Sequence, residues 1–412
     1  MPQQDSTPPP GPTGGDHPLR RLFASPDFVR LWAVGGLANA MRWVEILVAA
    51  VFTFEVTGSA LAVSLIAVLR ALPMFVAGAA AGAIAEVLDR RRLLMAGQAV
   101  VCLCAIAVAL LDWAGQLAVW HLAIVNLLGG LAWTGEMAAR RRMVSEAAGE
   151  GMVVQGMAFD STTSNTTRMA GPLIGGLIYQ TLGAGAAYAL AAACYAVAIV
   201  LLAGVRMPQV PRRFAARQVL ADMVDGVGVV RRHRPLQAVI LVTIGMNVFG
   251  FCYTAVLPAL GTLAFGASPF QIGLLTAAEP AGALITGLAL ATRRGVPMRS
   301  GLMIGGAAGF MVALLALPAM PAIWQAVGLL MLGGIGTALF ATLQTAIPVT
   351  VAPPEARSRV LGLVTTCIGM GPVGVLAIGA LADARGPGFA IILMAALGLL
   401  LFAVAAPRAL RR

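Results

Sequence analysis

Apolar runs of membrane length follow one another along nearly the whole chain, and that succession leaves few folds open. They lie at about 28–54, 59–85, 93–111, 117–139, 153–181, 186–205, 236–260, 270–291, 301–317, 323–349, 360–381 and 388–404. A bilayer-spanning helix needs roughly 20 predominantly apolar residues. Inside hydrocarbon each backbone polar group must be satisfied within its own segment, which makes such runs helices. Only 11% of the residues are charged, too few to cover a water-facing surface that normally carries about 25%. The expected fold class is an all-α polytopic membrane protein with about twelve transmembrane helices.

The net charge of +11 rests on 28 basic residues, all of them arginine. In a soluble chain such a balance suggests nucleic acid. Here the arginines occupy the breaks between apolar runs, so the expected surroundings are a lipid bilayer, with no nucleic-acid partner. Short cytoplasmic loops are enriched in Lys and Arg. With the N-terminus in the cytoplasm, 24 arginines fall on that side, only Arg385 falls outside, and Arg42, Arg70 and Arg168 lie within helices. Both termini are thus expected to be cytoplasmic, in a bacterial-type inner membrane. Residues 1–20, rich in Pro, Gly and polar residues, read as a disordered tail. No short apolar segment with a cleavage site is read there, so the first helix is expected to act as an uncleaved insertion signal. Cys102, Cys104, Cys194, Cys252 and Cys367 all lie in expected spans, where small apolar packing is their default role.

Residues 82–92 form the most informative break, with Glu86, Asp89, Arg90, Arg91 and Arg92 between two apolar runs. The stretch resembles the loop between helices 2 and 3 of the major facilitator superfamily, whose pattern is Gly-x-Leu-Ala-Asp-Arg-x-x-Arg-Arg. Gly82, Ala85, Arg90 and Arg91 match; Glu86 replaces the Asp and Val87 the first Arg. The resemblance implies a conformational latch made by Gly82, Glu86, Asp89, Arg90 and Arg91, with Glu86 engaging the start of helix 11 near Arg357 and Arg359. A second resemblance lies at 222–235, similar to the linker of the superfamily branch that contains macrolide-efflux and siderophore-export carriers. Residues 219–230 read as an amphipathic helix on the cytoplasmic surface, with apolar residues at helical spacing. Gly171, Pro172, Gly175 and Gly176 in helix 5 are echoed by Gly371 and Pro372 in helix 11. Two related six-helix halves are the facilitator plan, giving halves at 21–206 and 235–407, a linker at 207–234 and a tail at 408–412. The Gly-Pro elements read as helix breaks, or as sites of close helix approach. In the superfamily the helix 5 element accompanies exporters that exchange substrate for protons.

Ionisable groups inside a bilayer are costly, about 2.5–3.5 kcal/mol each on insertion scales. Arg42 and Glu45 share a face of helix 1 and could pair. Relatives in the branch often carry an acid near the Arg42 position, and Asn39 and Trp43 match their pattern. Arg70 could pair with an acid on helix 1. Asp160 opens a polar run, 160–168, that must face a water-filled cavity or other helices. Asp160 and Arg168 are two turns apart, too far to pair directly. Glu279 is the one acid deep in the second half. Glu45, Glu279 and Asp160 are the candidate proton-coupling groups. Asn39, Arg42, Trp43, Arg70, Asn165, Arg168, Asn247 and Gln344 are the candidate cavity groups. Glu136 reads as a gate or loop salt-bridge residue, and Trp113, Trp120 and Trp324 as interfacial anchors, with Trp43 and Trp133 deeper.

His17, His121 and His233 are scattered, and no nucleotide-binding Gly-rich loop with Lys is present, so neither enzyme chemistry, a cofactor nor a metal is expected. The resemblance implies a monomeric secondary transporter, a proton-coupled antiporter that exports a hydrophobic or amphipathic small molecule. An uptake symporter of the same architecture, or a non-transporting membrane sensor or scaffold, remains as the alternative.

Overall fold

The computed structural model describes residues 22–87, 89–149, 151–207, 227–292, 300–353 and 356–410. Every regular element among the described residues is helical. The first four helices are α1 (Pro26–Thr57), α2 (Ala60–Val87), α3 (Arg90–Trp113) and α4 (Val119–Ala148). The next stretch, Val153–Ala203, is 51 residues long, which at ~1.5 Å per residue is far longer than a bilayer core of ~30 Å. It reverses at Gly183 (φ 82°, ψ −179°), a backbone state open to glycine. This yields α5 (153–182) and α6 (184–203). Asp112 of α3 accepts from the Gly185 amide at 2.6 Å and caps the new helix start.

The second half holds α7 (Arg234–Phe265), α8 (Pro269–Thr292), α9 (Ser300–Ala316) and α10 (Ile323–Val351). It ends with α11, in segments Arg357–Ile368 and Gly371–Arg385, and α12 (Pro387–Leu410). Ten described helices are long and apolar enough to cross a membrane. Reading the 51-residue stretch as two passes and adding α2 agrees with a twelve-helix plan. α7 is not a uniform helix: residues Met246–Gly250 are π-helical and Phe251–Val256 are 3₁₀.

The first 21 residues, the expected amphipathic linker up to residue 226 and the last two residues lie outside the described residues. The apolar cores follow the two halves. One cluster is built mainly from α7–α12, centred on Tyr253, Phe310 and Phe402. Two others belong to α1–α6, around Tyr188 and Tyr195 and around Phe28 and Leu202.

The halves meet closely at the end opposite the termini. Glycines permit this: a Cβ on Gly176 would come within 2.6 Å of the Pro269 carbonyl oxygen, and one on Gly273 within 2.4 Å of that of Pro172. Asp383 of α11 accepts from the Ser59 hydroxyl (2.5 Å) and the Ala60 and Leu61 amides (2.7 and 3.2 Å), so it caps α2 of the other half. Toward the terminal end, Ser161, Thr162 and Thr166 of α5, Thr342 and Thr345 of α10, and Thr365 and Thr366 of α11 are all exposed. The space between the halves opens at that end.

The two Gly-Pro elements behave differently. α5 continues as helix through Gly171 and Pro172, so these residues do not break it. Instead they pack closely: a Cβ on Gly171 would meet Trp43 at 2.4 Å, and one on Gly175 the Val44 backbone at 3.1 Å. α11 does break, just before Gly371, with Pro372 in the first turn of the new segment, where its missing N–H costs nothing.

Candidate functional site

Glycines again decide where charged side chains can go. α2 crosses α4 at Gly129 and Gly130, and a Cβ on Gly130 would lie 2.0 Å from the Arg70 carbonyl oxygen. That crossing brings Arg70 to Glu45 of α1 (3.4 Å) and to Asn126 of α4 (3.2 Å), with both members of the ion pair nearly buried. Tyr195 of α6 faces the same carboxylate. Glu45 therefore pairs with Arg70, not with Arg42, its neighbour on the helix. Successive positions three apart differ by ~60° around a helix; Glu45 turns inward to α2 and α6 while Arg42 turns to the cavity.

Asp160 of α5 takes a two-pronged contact from Arg140 of α4, at 2.6 and 3.2 Å. Glu136, one turn before Arg140, is 3.7 Å from the same guanidinium and accepts from Gln98 of α3 at 3.1 Å. The absence of a side chain at Gly35 leaves room for Arg140, whose Nη1 would lie 2.1 Å from a Cβ there. Arg140 was expected in a loop. α4 runs on to Ala148, and this places the arginine inside the bundle.

Arg168 of α5 spans the halves: it donates to Glu279 of α8 at 2.7 Å. The other oxygen of Glu279 accepts from the Thr337 hydroxyl of α10 at 2.5 Å. α8 and α10 touch backbone to backbone here, since a Cβ on Gly334 would be 2.5 Å from the Glu279 carbonyl oxygen.

Asn39 ties α1 to α5 by donating to the Ser164 carbonyl (3.1 Å) and the Thr167 hydroxyl (2.5 Å), and it accepts from Arg42. The Arg42 guanidinium lies 4.4 Å from the Trp133 ring centre and 5.6 Å from that of Trp43, while Arg168 lies 5.8 Å from Trp43. Such cation–π contacts favour a cation removed from water.

These groups line two adjoining cavities. One, about 210 Å³, sits within the first half and is bounded by Asn39, Arg42, Trp43, Trp133, Glu136 and Tyr195, among others. The second, about 310 Å³, lies between the halves, against Phe251, Glu279, Leu284, Thr337 and Thr342. Asn165 and Arg168 line both, so the two form one bilobed space. Asn247 and Gln344 line neither. Gln344 is buried and donates to Thr243 at 3.0 Å, bridging α10 to α7. Asn247 returns its amide to the Thr243 carbonyl of its own helix.

The expected latch residues show contacts inside the first half. Asp89 caps α3 by accepting from the Arg92 amide. Arg90 is buried against Glu146 of α4 at 3.1 Å, and Arg91 donates to the Leu202 and Ala203 carbonyls at the end of α6, a favourable place for a cation. The surroundings of Gly82 and the side chain of Glu86 lie outside what the structure describes.

Sequence reasoning did not single out Gln98, Tyr195, Thr337 or Arg140 as cavity groups, nor Asn126 as the buried partner of Arg70. For Arg140 a signal existed: its spacing from Glu136 continues the helix pattern, but the Arg140–Arg142 triplet reads more readily as a cytoplasmic loop.

A two-half helical bundle with a polar cleft between the halves now has a match along its length. A family model described as "Transmembrane secretion effector" covers residues 18–411. The chain belongs to this family of the major facilitator superfamily. Its members are transporters, not enzymes. Among curated relatives, the multidrug efflux pump Tap of Mycolicibacterium fortuitum is 28% identical over 345 residues, 80% of this chain and 82% of that one. Macrolide efflux protein A of Streptococcus pyogenes is 24% identical over 268 residues, 64% of this chain and 65% of that one. Among solved structures, a POT family transporter in complex with 5-aminolevulinic acid superposes with a TM-score of 0.72 at 11% identity, covering 93% of this chain and 96% of that one. That likeness concerns the fold. The chain is a multi-pass membrane protein.

Proposed function

We propose that the protein is a proton-coupled antiporter that exports a hydrophobic or amphipathic small molecule from the cytoplasm and works as a monomer in a bacterial inner membrane. The observation that carries the reading is the Arg168–Glu279 pair, the cavity's ion pair between the halves, placed where the two lobes adjoin. The efflux functions named for the relatives agree with it. The excess of arginine at the terminal end assigns that end to the cytoplasm, so the open cleft is a loading state.

Protonation of Glu279 removes the charge that holds Arg168 across the cleft. The halves then rock about the bilobed site, and the carboxyl loses its proton as the next substrate loads. Glu45 and Asp160, each already paired with an arginine, are the other coupling candidates. The latch at Asp89–Arg91 closes the terminal end in the opposite state.

The test uses inverted membrane vesicles energised by a pH gradient, with a panel of dyes and antibiotics supplied in the outer medium. The native chain is expected to move substrate inward with release of vesicle protons, and Glu279→Gln to lose that coupling. Coupled efflux that persists in Glu45→Gln, Asp160→Asn and Glu279→Gln alike rejects the assignment. Proton flux in the same direction as substrate would instead identify an uptake symporter.

A further inference from the structure

Two cations lining the bilobed space, Arg42 and the exposed Arg141, make no ion pair among the described residues. Five of the residues lining the first lobe are arginines, Arg42, Arg70, Arg140, Arg141 and Arg168, and one, Glu136, is an acid. Arg70, Arg140 and Arg168 are neutralised by Glu45, Asp160 and Glu279. Glu136 leans on Arg140 and Gln98. Among the described residues Arg42 makes no ion pair: it donates to the amide oxygen of Asn39, lies on the faces of Trp43 and Trp133, and feels Glu136, which is already held by Arg140, only at longer range.

Two donors beside it are also unmet. The Nε of Arg42 and the indole Nε1 of Trp43 are buried, with no hydrogen-bond partner among the described residues. A buried donor without an acceptor is destabilising, and a buried charge without a counter-charge more so. A guanidinium nitrogen and a neighbouring indole N–H, both without an acceptor, on and beside a cation that makes no ion pair are groups that an anionic acceptor would satisfy. The second lobe has a different character. Phe251, Pro280, Ala283, Leu284, Leu288, Ala338 and Ala341 give it an apolar wall.

We infer that this carrier takes amphipathic organic anions, with a carboxylate or a comparable compact anionic head held by Arg42 in the first lobe and an apolar body in the second. The inference rests on reading the cavity as a transport site, and it names the substrate class. Arg42 is a binding residue with the charge, Trp43 adds a donor, and Asn165 and Arg168 stand where head and body join.

Binding separates this inference from the export reading. The purified full chain in phosphatidylcholine nanodiscs is titrated by thermophoresis with 1-naphthylacetate, its neutral isostere 1-naphthylacetamide and the cation 1-naphthylmethylammonium. The acetate is expected to bind about tenfold or more tightly than either analogue, a selectivity that needs no variant. Arg42→Gln is expected to erase that preference, and Arg42→Lys to retain part of it. Equal affinity for acid and amide, preference for the cation, no saturable acetate binding up to about 1 mM, or an unchanged preference in a folded Arg42→Gln protein would overturn the inference. Anion-selective binding without any vesicle transport leaves the site standing and rejects the exporter. Coupled export of neutral and cationic dyes with no anion preference does the reverse.

Discussion

On the first-half side of the cleft, α1, α2, α4 and α5 set Arg42, Arg70, Arg140 and Arg168 around one lobe. On the second-half side, α8 offers Glu279, α10 offers Thr337, and most of the remaining wall is apolar. The two halves share an architecture and divide the chemistry. In the first half the Arg70 and Arg140 charges are answered from within that half, behind the cavity wall. Arg168 alone of the four looks across the cleft for its carboxylate. A rocking motion of the halves would therefore separate, among the described residues, the Arg168–Glu279 pair and leave the Arg70 and Arg140 pairs intact.

Three tests press on this contrast. The largest effect is expected where both halves rest on glycine crossings. Gly130→Leu against the Arg70 backbone, and Gly334→Leu against Glu279, have no side chain to push aside. Both should exceed the usual ~1–3 kcal/mol of overpacking and abolish a monodisperse peak in fluorescence-detected gel filtration. A well-folded Gly130→Leu protein would mean that α2 and α4 do not pack as described.

Next come the ion pairs. Glu45→Gln leaves Arg70 stranded at a site where the two side chains are only 12% and 5% exposed, so about 3–5 kcal/mol of stability should be lost. Glu279→Gln should cost less, because the Arg168 side chain is 32% exposed and can be hydrated. Thermal melting in detergent reads the difference. A larger loss for Glu279→Gln would remove the distinction between an interior pair and a cleft pair.

The smallest effect is expected at the closed end. Asp383→Ala removes the cap on α2, worth about 1 kcal/mol, and should raise the population open at that end by roughly fivefold. Labelling of Ser268→Cys by a membrane-impermeant maleimide should accelerate accordingly.

Much of the fold was legible because apolar length and arginine placement report directly on a bilayer. The separation of Asp160 from Arg168 followed from helical spacing, whereas a partner for Arg70 on helix 1 was one option that the family resemblance offered. Trp113, Trp120 and Trp324 are each over 60% exposed near helix ends, as interfacial anchors should be. What escaped was anything set by neighbouring helices. Glu45 has two arginines in reach by sequence, and only the α2–α4 crossing at Gly130 selects Arg70. Asn247 and Gln344 look like cavity donors on a one-dimensional reading, but Gln344 hydrogen-bonds Thr243 on α7, and Asn247 the carbonyl of that same residue. Arg140 was hidden by its own company, since three consecutive arginines mark a loop in most membrane chains and here the first belongs to the interior.

Gly183 has a mechanical meaning. A reversal made by one residue, clamped by Asp112 on the following turn, stores almost no slack. α5 and α6 must then move as one stiff lever, with its fulcrum at the closed end. Across a core ~30 Å thick, a tilt of about 10° at that fulcrum sweeps the far tip roughly 5 Å. Arg168, roughly 22 Å along the arm from that glycine, travels about 4 Å, enough to part it from Glu279. A small tilt of the joined pair is thereby geared into the stroke that a cleft of this size requires.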